Sequence, residues 1–494
     1  MVVQALPRKL DPDRLARELG NWRTASASGP VYRGLADGIR MLIIDGRLPV
    51  GAQLPSERVL AESLRVSRTT VTTAYAQLGE DGYLHTRPGA RSTTALPAAA
   101  GAPVGTRLVP GTASINLAAA AMSAPPAAVT TAYVAAAQQI TPYLHTPGLE
   151  MTGVAPLREA IAARYCQRGL PTSPDEIMIT TGALQAICLV LSTFVQPGDR
   201  VLVEQPTYHG ALAAISAAGA RPVPVAMDPE SRDDAWDLDA INFAVRQLAP
   251  NLAYLMPDNH NPTGLTLSAE GRNTLAHIIA ETRTRTIVDE TMVDMWLDEP
   301  VPAPLAAAMT SRHDLVLTIG SMSKSFWGGL RVGWIRAERS ALATVAAVRP
   351  SIDLGTPILE QLAAAALLTE SDTVLPERRE MVRSRRSLMT SLLAQHLPDW
   401  TPLPGPGRPA SGLALWVRLP APMSSALSAA ASRLGLDIPA GPRFGVDGTL
   451  ERYIRVPYTL PEAELPHAVE LLTRAWLGIT GSGTGSSEFG AVVV

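Results

Sequence analysis

The sequence predicts an α/β chain of two modules: a winged helix-turn-helix, then a doubly wound, mostly parallel sheet. Three observations carry this. The run from Leu96 to Gly111 is small and turn-rich with no periodic apolar face, as an interdomain linker is. Ahead of it stand three apolar stripes at helical spacing and a turn-rich hairpin. Behind it, short β-rich runs alternate with helical stripes over roughly 200 residues. The expected boundaries are 1–95 for the first module, 96–113 for the linker, 114–478 for the second module and 479–494 for a flexible Gly/Ser tail.

In the first module, Leu35, Ile39, Leu42 and Ile43 form one stripe. Pro55-Ser56-Glu57-Arg58 opens a second helix, with Ser56 placed to cap it and Leu60 and Leu64 facing inward. Val66 to Val71 is a short turn into a third helix carrying Val71, Tyr75 and Leu78. Gly82 to Arg91 reads as two short strands around Pro88-Gly89. In a winged helix-turn-helix the second helix of the pair enters the major groove, its N-terminal residues at base edges.

In the second module, Ile177–Thr180, Val201–Glu204, Pro222–Val225, Leu252–Met256, Thr286–Asp289 and Leu315–Thr318 read as buried strands. Pro156–Tyr165 and the stretch from Ser268 through Ile279 read as helices. A sheet wound this way binds its ligand at the C-terminal ends of strands, and groups with chemistry stand there. Thr181-Gly182-Ala183-Leu184 is a glycine turn feeding a helix N-terminus, a natural phosphate cradle. Tyr208 offers an aromatic face. Asn261, in Asn261-Pro262-Thr263-Gly264, is either an amide donor or part of a plain β-turn. Asp289 is either a partner for a pyridinium nitrogen or a helix-capping carboxylate.

Lysine usage sharpens this. Only Lys9 and Lys324 occur, although the chain carries 42 Lys+Arg. Arginine serves wherever a generic charge suffices, so a retained lysine points to chemistry a guanidinium cannot do. An amine can lose its proton and attack a carbonyl to form a Schiff base. Lys9 lies in a polar N-terminal arm. Lys324 lies in Ser321-Met322-Ser323-Lys324, followed by Gly328-Gly329-Leu330-Arg331-Val332-Gly333-Trp334. That is the local pattern of a lysine bound to pyridoxal 5'-phosphate (PLP).

Composition bounds the class. At 46% hydrophobic and 18% charged over 494 residues, the chain is globular with room for two or three domains. Cys166 and Cys188 both sit in apolar helical patterns, which argues for a reducing compartment without a disulfide framework. With no signal-type apolar core and no membrane-length apolar run, a cytoplasmic location is expected and a membrane partner is not. No metal site is expected. Residues 1–97 hold 13 Arg or Lys against 9 Asp or Glu, whereas the remainder holds 29 against 36. A basic first module on an acidic body points to a polyanion partner for the first module alone.

Residues 30–94 closely resemble the GntR-type winged-helix DNA-binding domain. The resemblance rests on Leu54-Pro55-Ser56-Glu57-Arg58, Leu60-Ala61, Val66-Ser67-Arg68-Thr69-Thr70-Val71, Leu78 and Gly82-Tyr83-Leu84. It implies that Arg58, Ser67, Arg68, Thr69 and Thr70 meet DNA and that Gly89 lets the wing tip approach the minor groove. That family often carries an arginine two or three positions after the Thr-Thr pair, where this sequence has Thr72 and Thr73.

Residues 115–478 resemble, in motif order and spacing, the fold-type I aminotransferases of class I/II. The implied fold adds a smaller C-terminal α+β subdomain to the doubly wound sheet. The resemblance implies that Lys324 holds PLP as a Schiff base, Asp289 pairs with the pyridine nitrogen, Asn261 bonds the ring hydroxyl and Tyr208 stacks on the ring. It places the phosphate against Gly182, Ala183, Leu184, Ser321, Ser323 and Arg331, with Tyr143 reaching the neighbouring subunit's phosphate. Arg455, in Tyr453-Ile454-Arg455-Val456, matches the arginine that clamps a substrate carboxylate, a task suited to a guanidinium fork. Active members place a tyrosine two or three residues after the aspartate; here Thr291 and Met292 stand there. That leaves PLP binding in place and weakens the expectation of efficient transamination.

Head, linker and body together resemble the MocR subfamily of bacterial transcription regulators. The resemblance implies a cytoplasmic, head-to-tail homodimer, nucleoid-associated when bound to double-stranded operator DNA, whose body senses PLP, an amine or an amino acid. A ligand that exchanges at Lys324 alters charge and contacts in the cleft, and differential affinity for two arrangements would couple it to DNA. The other reading is a working aminotransferase with a vestigial or autoregulatory head. A third, a winged-helix protein on a PLP-free scaffold, is disfavoured by Lys324, Asp289, Asn261 and Arg331.

Overall fold

In a computed structural model, the structure describes residues 9–20, 22–23, 30–44, 47–85, 91–95, 115–231, 234–405, 410–446 and 448–481. Gly89, the linker and the tail beyond Gly481 lie outside these residues.

The head carries, among the described residues, helices α1 (Pro12–Leu19), α2 (Val31–Ile44), α3 (Glu57–Leu64) and α4 (Arg68–Glu80). Strands β1 (Leu84–His85) and β2 (Thr93–Thr94) pair antiparallel as the wing. Leu35, Ile39, Leu42, Leu60, Leu64, Val71, Tyr75 and Leu78 bury into one core, as their spacing predicts. Helix α1 corrects the reading of this stretch as a polar arm. Asp11 caps it by accepting from Arg14 N at 2.7 Å, and Leu15 and Leu19 alone bury. Two apolar residues among charges are too thin a stripe to signal a helix. Ser56 does occupy the first cap of α3, but its side chain makes no capping bond.

The body is built on a seven-stranded sheet. Its strands are β4 (Ile177–Thr180), β5 (Arg200–Gln205), β6 (Arg221–Ala226), β7 (Leu252–Leu255), β8 (Thr286–Asp289), β9 (Val316–Ser321) and β10 (Gly333–Arg336), β3 (Ile115–Asn116) lying elsewhere. The order is β4-β10-β9-β8-β7-β5-β6, with β10 antiparallel to both neighbours and the other pairs parallel. Strands β4, β7, β8, β9 and β10 are buried along their whole length, as strands covered by helices on both faces are. Strand β10 is short and embedded in a glycine-rich run, so nothing in its sequence marks it. Strand β9 starts one residue later than predicted, because His313–Leu315 forms a turn of helix before it.

The smaller subdomain is α+β. Strands β11 (Thr401–Leu403), β12 (Ala414–Arg418) and β14 (Tyr453–Pro457) form an antiparallel sheet, while β13 (Leu436–Asp437) pairs parallel with β3. The helices Ser424–Arg433 and Leu465–Thr480 pack with it; the second runs past the boundary expected at 478. The head rests on this subdomain: Arg433 ion-pairs with Asp37 of α2 at 3.2 Å.

Candidate functional site

Residues just past the C-terminal ends of β4, β5, β7, β8 and β9 converge on a cavity of about 540 Å³, within the size range of small-ligand sites. Lys324 lies three residues beyond β9, in a wide helical turn, Ser323–Trp327. Its Nζ donates to the Ala120 carbonyl at 2.8 Å. Burial first, and then the Arg455 charge, lower the amine to about 8, against a pull from Asp289. A buried amine with that pKa is partly unprotonated near neutrality, the state a nucleophile needs.

Asp289 ends β8 with its carboxylate fully enclosed. Oδ2 accepts from the Tyr254 hydroxyl at 2.6 Å and Oδ1 from Thr291 N at 2.8 Å. Burial raises this carboxyl, and the two hydrogen-bonding residues oppose that rise by favouring the anion. Asn261 and Arg455 meet across the cavity: Arg455 Nη1 donates to Asn261 Oδ1 at 3.1 Å and Nη2 to the Ala118 carbonyl at 2.6 Å. The Arg455 guanidinium lies 4.8 Å from the Phe444 ring centroid. Tyr208 lines the cavity beside His209, ring centroids 5.0 Å apart, and burial keeps His209 neutral.

A cradle stands opposite. Gly182, at φ 93°, begins the helix Ala183–Phe194, and a Cβ there would lie 2.7 Å from Arg331 Nη2. Arg331 is itself left-handed at φ 51° and is held by the Thr181 and Gly328 carbonyls at 3.0 and 3.2 Å. Ser321 and Ser323 line the same end, their hydroxyls 3.0 Å apart, and Ala183 and Leu184 close it. Helix N-terminal amides, two hydroxyls and a guanidinium form a donor set that fits a phosphate. The enclosed Asp289 suits a protonated ring nitrogen, and the half-buried Lys324 amine, lowered to about 8, suits a carbonyl.

The structure thus brings together Lys324, Asp289, Asn261, Tyr208, Ala183, Leu184, Ser321, Ser323, Arg331 and Arg455, with Gly182 directly behind the cradle. Tyr143, in the turn Thr141–His145, does not line this cavity. Thr291 and Met292 do line it, Met292 at 5% exposure. Sequence reasoning missed Tyr254 and Arg443. Tyr254 is one strand over from Asp289 and comes beside it only through the pairing of β7 with β8, in which Tyr254 lies opposite Ile287. Arg443, on the turn Gly441–Phe444, is one arginine among many and had no signal.

The head carries a separate surface. Ser67, Arg68 and Thr69 are exposed where α4 starts. Ser67 Oγ caps that helix by accepting from Thr70 N at 3.1 Å. Arg58 stands exposed on α3, paired with Glu62 at 3.3 Å. The Thr72 hydroxyl turns back onto the Arg68 carbonyl at 3.1 Å. Among the described residues, no group of three or more His, Cys, Asp or Glu could hold a metal ion, and no helix is long and apolar enough to cross a membrane.

Two known families match separate stretches of the chain. Aminotransferase class I and II matches residues 113–472, and the gntR family of bacterial regulatory proteins matches residues 31–93. The chain is similar to the uncharacterized HTH-type transcriptional regulator YdfD of Bacillus subtilis, 28% identical over 88% of this chain and 94% of YdfD. It is also similar to the 2-aminoadipate transaminase of Thermus thermophilus, 30% identical over 66% of this chain and 80% of that one. Among solved structures, LysN, the α-aminoadipate aminotransferase of Thermus thermophilus complexed with N-(5'-phosphopyridoxyl)-L-leucine, superposes with a TM-score of 0.66 at 26% identity. That match covers 74% of this chain and 93% of LysN.

Proposed function

The chain belongs to the aminotransferase class I and II family and carries a gntR-family head, the MocR-like architecture, and from that premise we propose that it is a PLP-dependent transcription regulator. Its cofactor is pyridoxal 5'-phosphate, which supplies an electrophilic carbonyl and an electron-withdrawing ring when bound. In this reading Lys324 provides the amine, Asp289 keeps the ring nitrogen protonated, Asn261 bonds the ring oxygen and Tyr208 covers one face. Gly182, Ala183, Leu184, Ser321, Ser323 and Arg331 hold the phosphate. Arg455 receives a carboxylate of the effector, an amine or amino acid. Tyr143, outside its own cavity, is available to a partner copy, and the working unit is a homodimer whose two heads sit on one operator.

One observation carries the choice of regulator over enzyme. A capped, exposed recognition-helix start, with Arg68 and Thr69 at its tip, shares the chain with a cavity in which Thr291 and Met292 stand where active members have tyrosine. The head thus keeps its DNA-facing surface while the body has lost a group that tunes turnover. The second reading, a working aminotransferase with a vestigial head, is favoured by the likeness to the 2-aminoadipate transaminase.

DNA binding by the full-length chain, measured on its own upstream region with and without PLP and with amines, separates the two. The regulator reading expects operator affinity to shift several-fold with the cofactor or an amine. Lys324→Ala should still bind DNA and should no longer respond. Transamination at ordinary enzyme rates, roughly 1–10³ per second, with DNA binding indifferent to PLP and amines would overturn it.

A further inference from the structure

We propose that the loop between Phe444 and Glu451 is a docking contact that transmits the state of the cleft to the DNA-binding head. This rests on the reading of the body as an effector sensor.

The loop meets the cleft at both of its ends. At the first, Phe444 carries the Arg455 guanidinium 4.8 Å from its ring centroid and meets the His209 ring edge-on at 5.7 Å. Arg455 and His209 both line the cavity. The Phe444 carbonyl accepts from Thr207 N at 2.8 Å, and Val446 N donates to Gln205 Oε1 at 2.9 Å. Gln205 ends β5, and the chain runs from it through Thr207 into Tyr208, which also lines the cavity. At the second end the Leu450 carbonyl accepts from Tyr453 N at 2.9 Å, where β14 begins, the strand that carries Arg455. A ligand that shifts Tyr208 or Arg455 therefore loads one short loop.

Between those ends the loop touches the head, backbone against backbone. Gly448, at φ 71°, lies on the last turn of α1: a Cβ there would stand 2.4 Å from the Arg17 carbonyl oxygen and 3.1 Å from that of Glu18. Gly20, at φ 54°, ends the same helix, and a Cβ on it would stand 2.8 Å from the Gly448 carbonyl oxygen. So close an approach is open to a pair of glycines and not to residues with side chains. Helix α1 precedes residues 31–93, the stretch the gntR family matches, so an addition to that domain makes the contact. Leu15 and Leu19 seat α1 in the head core, and Asp13 of α1 accepts from Ser63 Oγ of α3 at 2.9 Å. A displacement of α1 thus carries to α3, the helix just ahead of α4.

The rest of the contact is thin, as a releasable one has to be. Arg433 reaches Asp37 of α2 at 3.2 Å, but its side chain is 57% exposed, and an ion pair so open adds little. Glu451 is buried and caps the helix Ser424–Arg433, accepting from Ser425 N at 3.0 Å and Ser424 Oγ at 3.1 Å. Burial raises its carboxyl; the two serines and, across the contact, the Arg47 charge oppose the rise. A crevice of about 50 Å³ lies between Leu19 and Trp22 of the head and Ala426 and Pro442 of the subdomain. Few groups hold the head in place, so a ligand that favours one arrangement of the loop shifts the docking with it.

The test follows amide hydrogen exchange and operator binding of the full-length chain, cofactor-free and PLP-loaded. Exchange at Arg17–Gly20 and at Gly448–Glu451 should change several-fold on loading. Gly448→Ala drives a methyl against the Arg17 carbonyl, and Arg433→Glu sets a second carboxylate against Asp37; neither residue lines the cleft. Both variants should take up PLP as the unaltered chain does. Exchange at Arg17–Gly20 should be fast in them with or without PLP, and the several-fold shift in operator affinity on loading should collapse to near unity. Exchange that ignores PLP at both stretches of the unaltered chain, or an operator response that survives intact in the variants, overturns the proposal. A melting profile matching that of the unaltered chain certifies each variant as folded, and Arg433→Glu carries the test if Gly448→Ala is not. The two readings fail separately. Exchange that responds at both stretches while operator affinity ignores PLP and amines refutes the regulator alone. Operator affinity that responds while both stretches stay silent refutes the docking contact alone.

Discussion

Arg455→Gln isolates the electrostatics of the lysine. The Lys324 amine, ordinarily at 10.5, is lowered to about 8 by burial and then by the Arg455 charge. A depressed lysine pKa means the amine is charged below about 8 and free above it. At pH 7 an amine at 10.5 is about 0.03% free base and one at about 8 is about 9% free, a gain of roughly 300-fold in nucleophile. Glutamine keeps an amide donor for the Ala118 carbonyl, which Arg455 Nη2 reaches at 2.6 Å, and deletes the charge. The assay mixes cofactor-free chain with PLP between pH 6.5 and 10, quenches with borohydride and counts label on Lys324. Lys9, exposed and the only other lysine, is the internal reference. In the unaltered chain the labelling rate should climb tenfold per pH unit and level off near pH 8. In Arg455→Gln the levelling point should move upward, each unit of rise costing tenfold in labelling at pH 7. A levelling point that stays put, or labelling at pH 7 that increases, refutes the assignment of Arg455 as a determinant of the Lys324 pKa.

Two further outcomes are expected. Tyr254→Phe removes the 2.6 Å hydrogen bond to Asp289 and lets burial push that carboxyl higher still. A lost bond to a charged group is worth about 1.5–3 kcal/mol, so PLP affinity, read from absorbance titration, should fall roughly 10–100-fold. Arg68→Ala, at the exposed start of α4, should weaken operator binding by about 1–3 kcal/mol if the side chain reads a base edge. Anisotropy on operator and on random DNA decides it, since an equal loss on both makes Arg68 a phosphate contact only.

The parts of this molecule that the sequence discloses are those whose physics is local. Strands β7, β8 and β9 are buried on both faces, so apolar residues stand side by side in each: Leu252–Leu255, Ile287-Val288 and Val316-Leu317. Asp289 and Lys324 stand at or just past strand ends, where a doubly wound sheet presents its ligand, so their positions follow once the strands do. Groups whose role comes from distant contacts leave no such trace. Lys324 donates to Ala120 across 204 positions and Arg455 to Ala118 across 337, and no periodicity spans those intervals. Tyr254 is a mid-strand residue until the pairing of β7 with β8 sets it beside Asp289. Arg443 becomes a site residue only because an irregular turn, pinned by Ser424 and Thr207, aims it into the cleft. The carbonyls of Ala118 and Ala120 belong to the short segment that follows the linker and starts in β3. The segment that follows the linker therefore holds both Lys324 and Arg455, so a ligand that takes either side chain must also replace a bond to that segment.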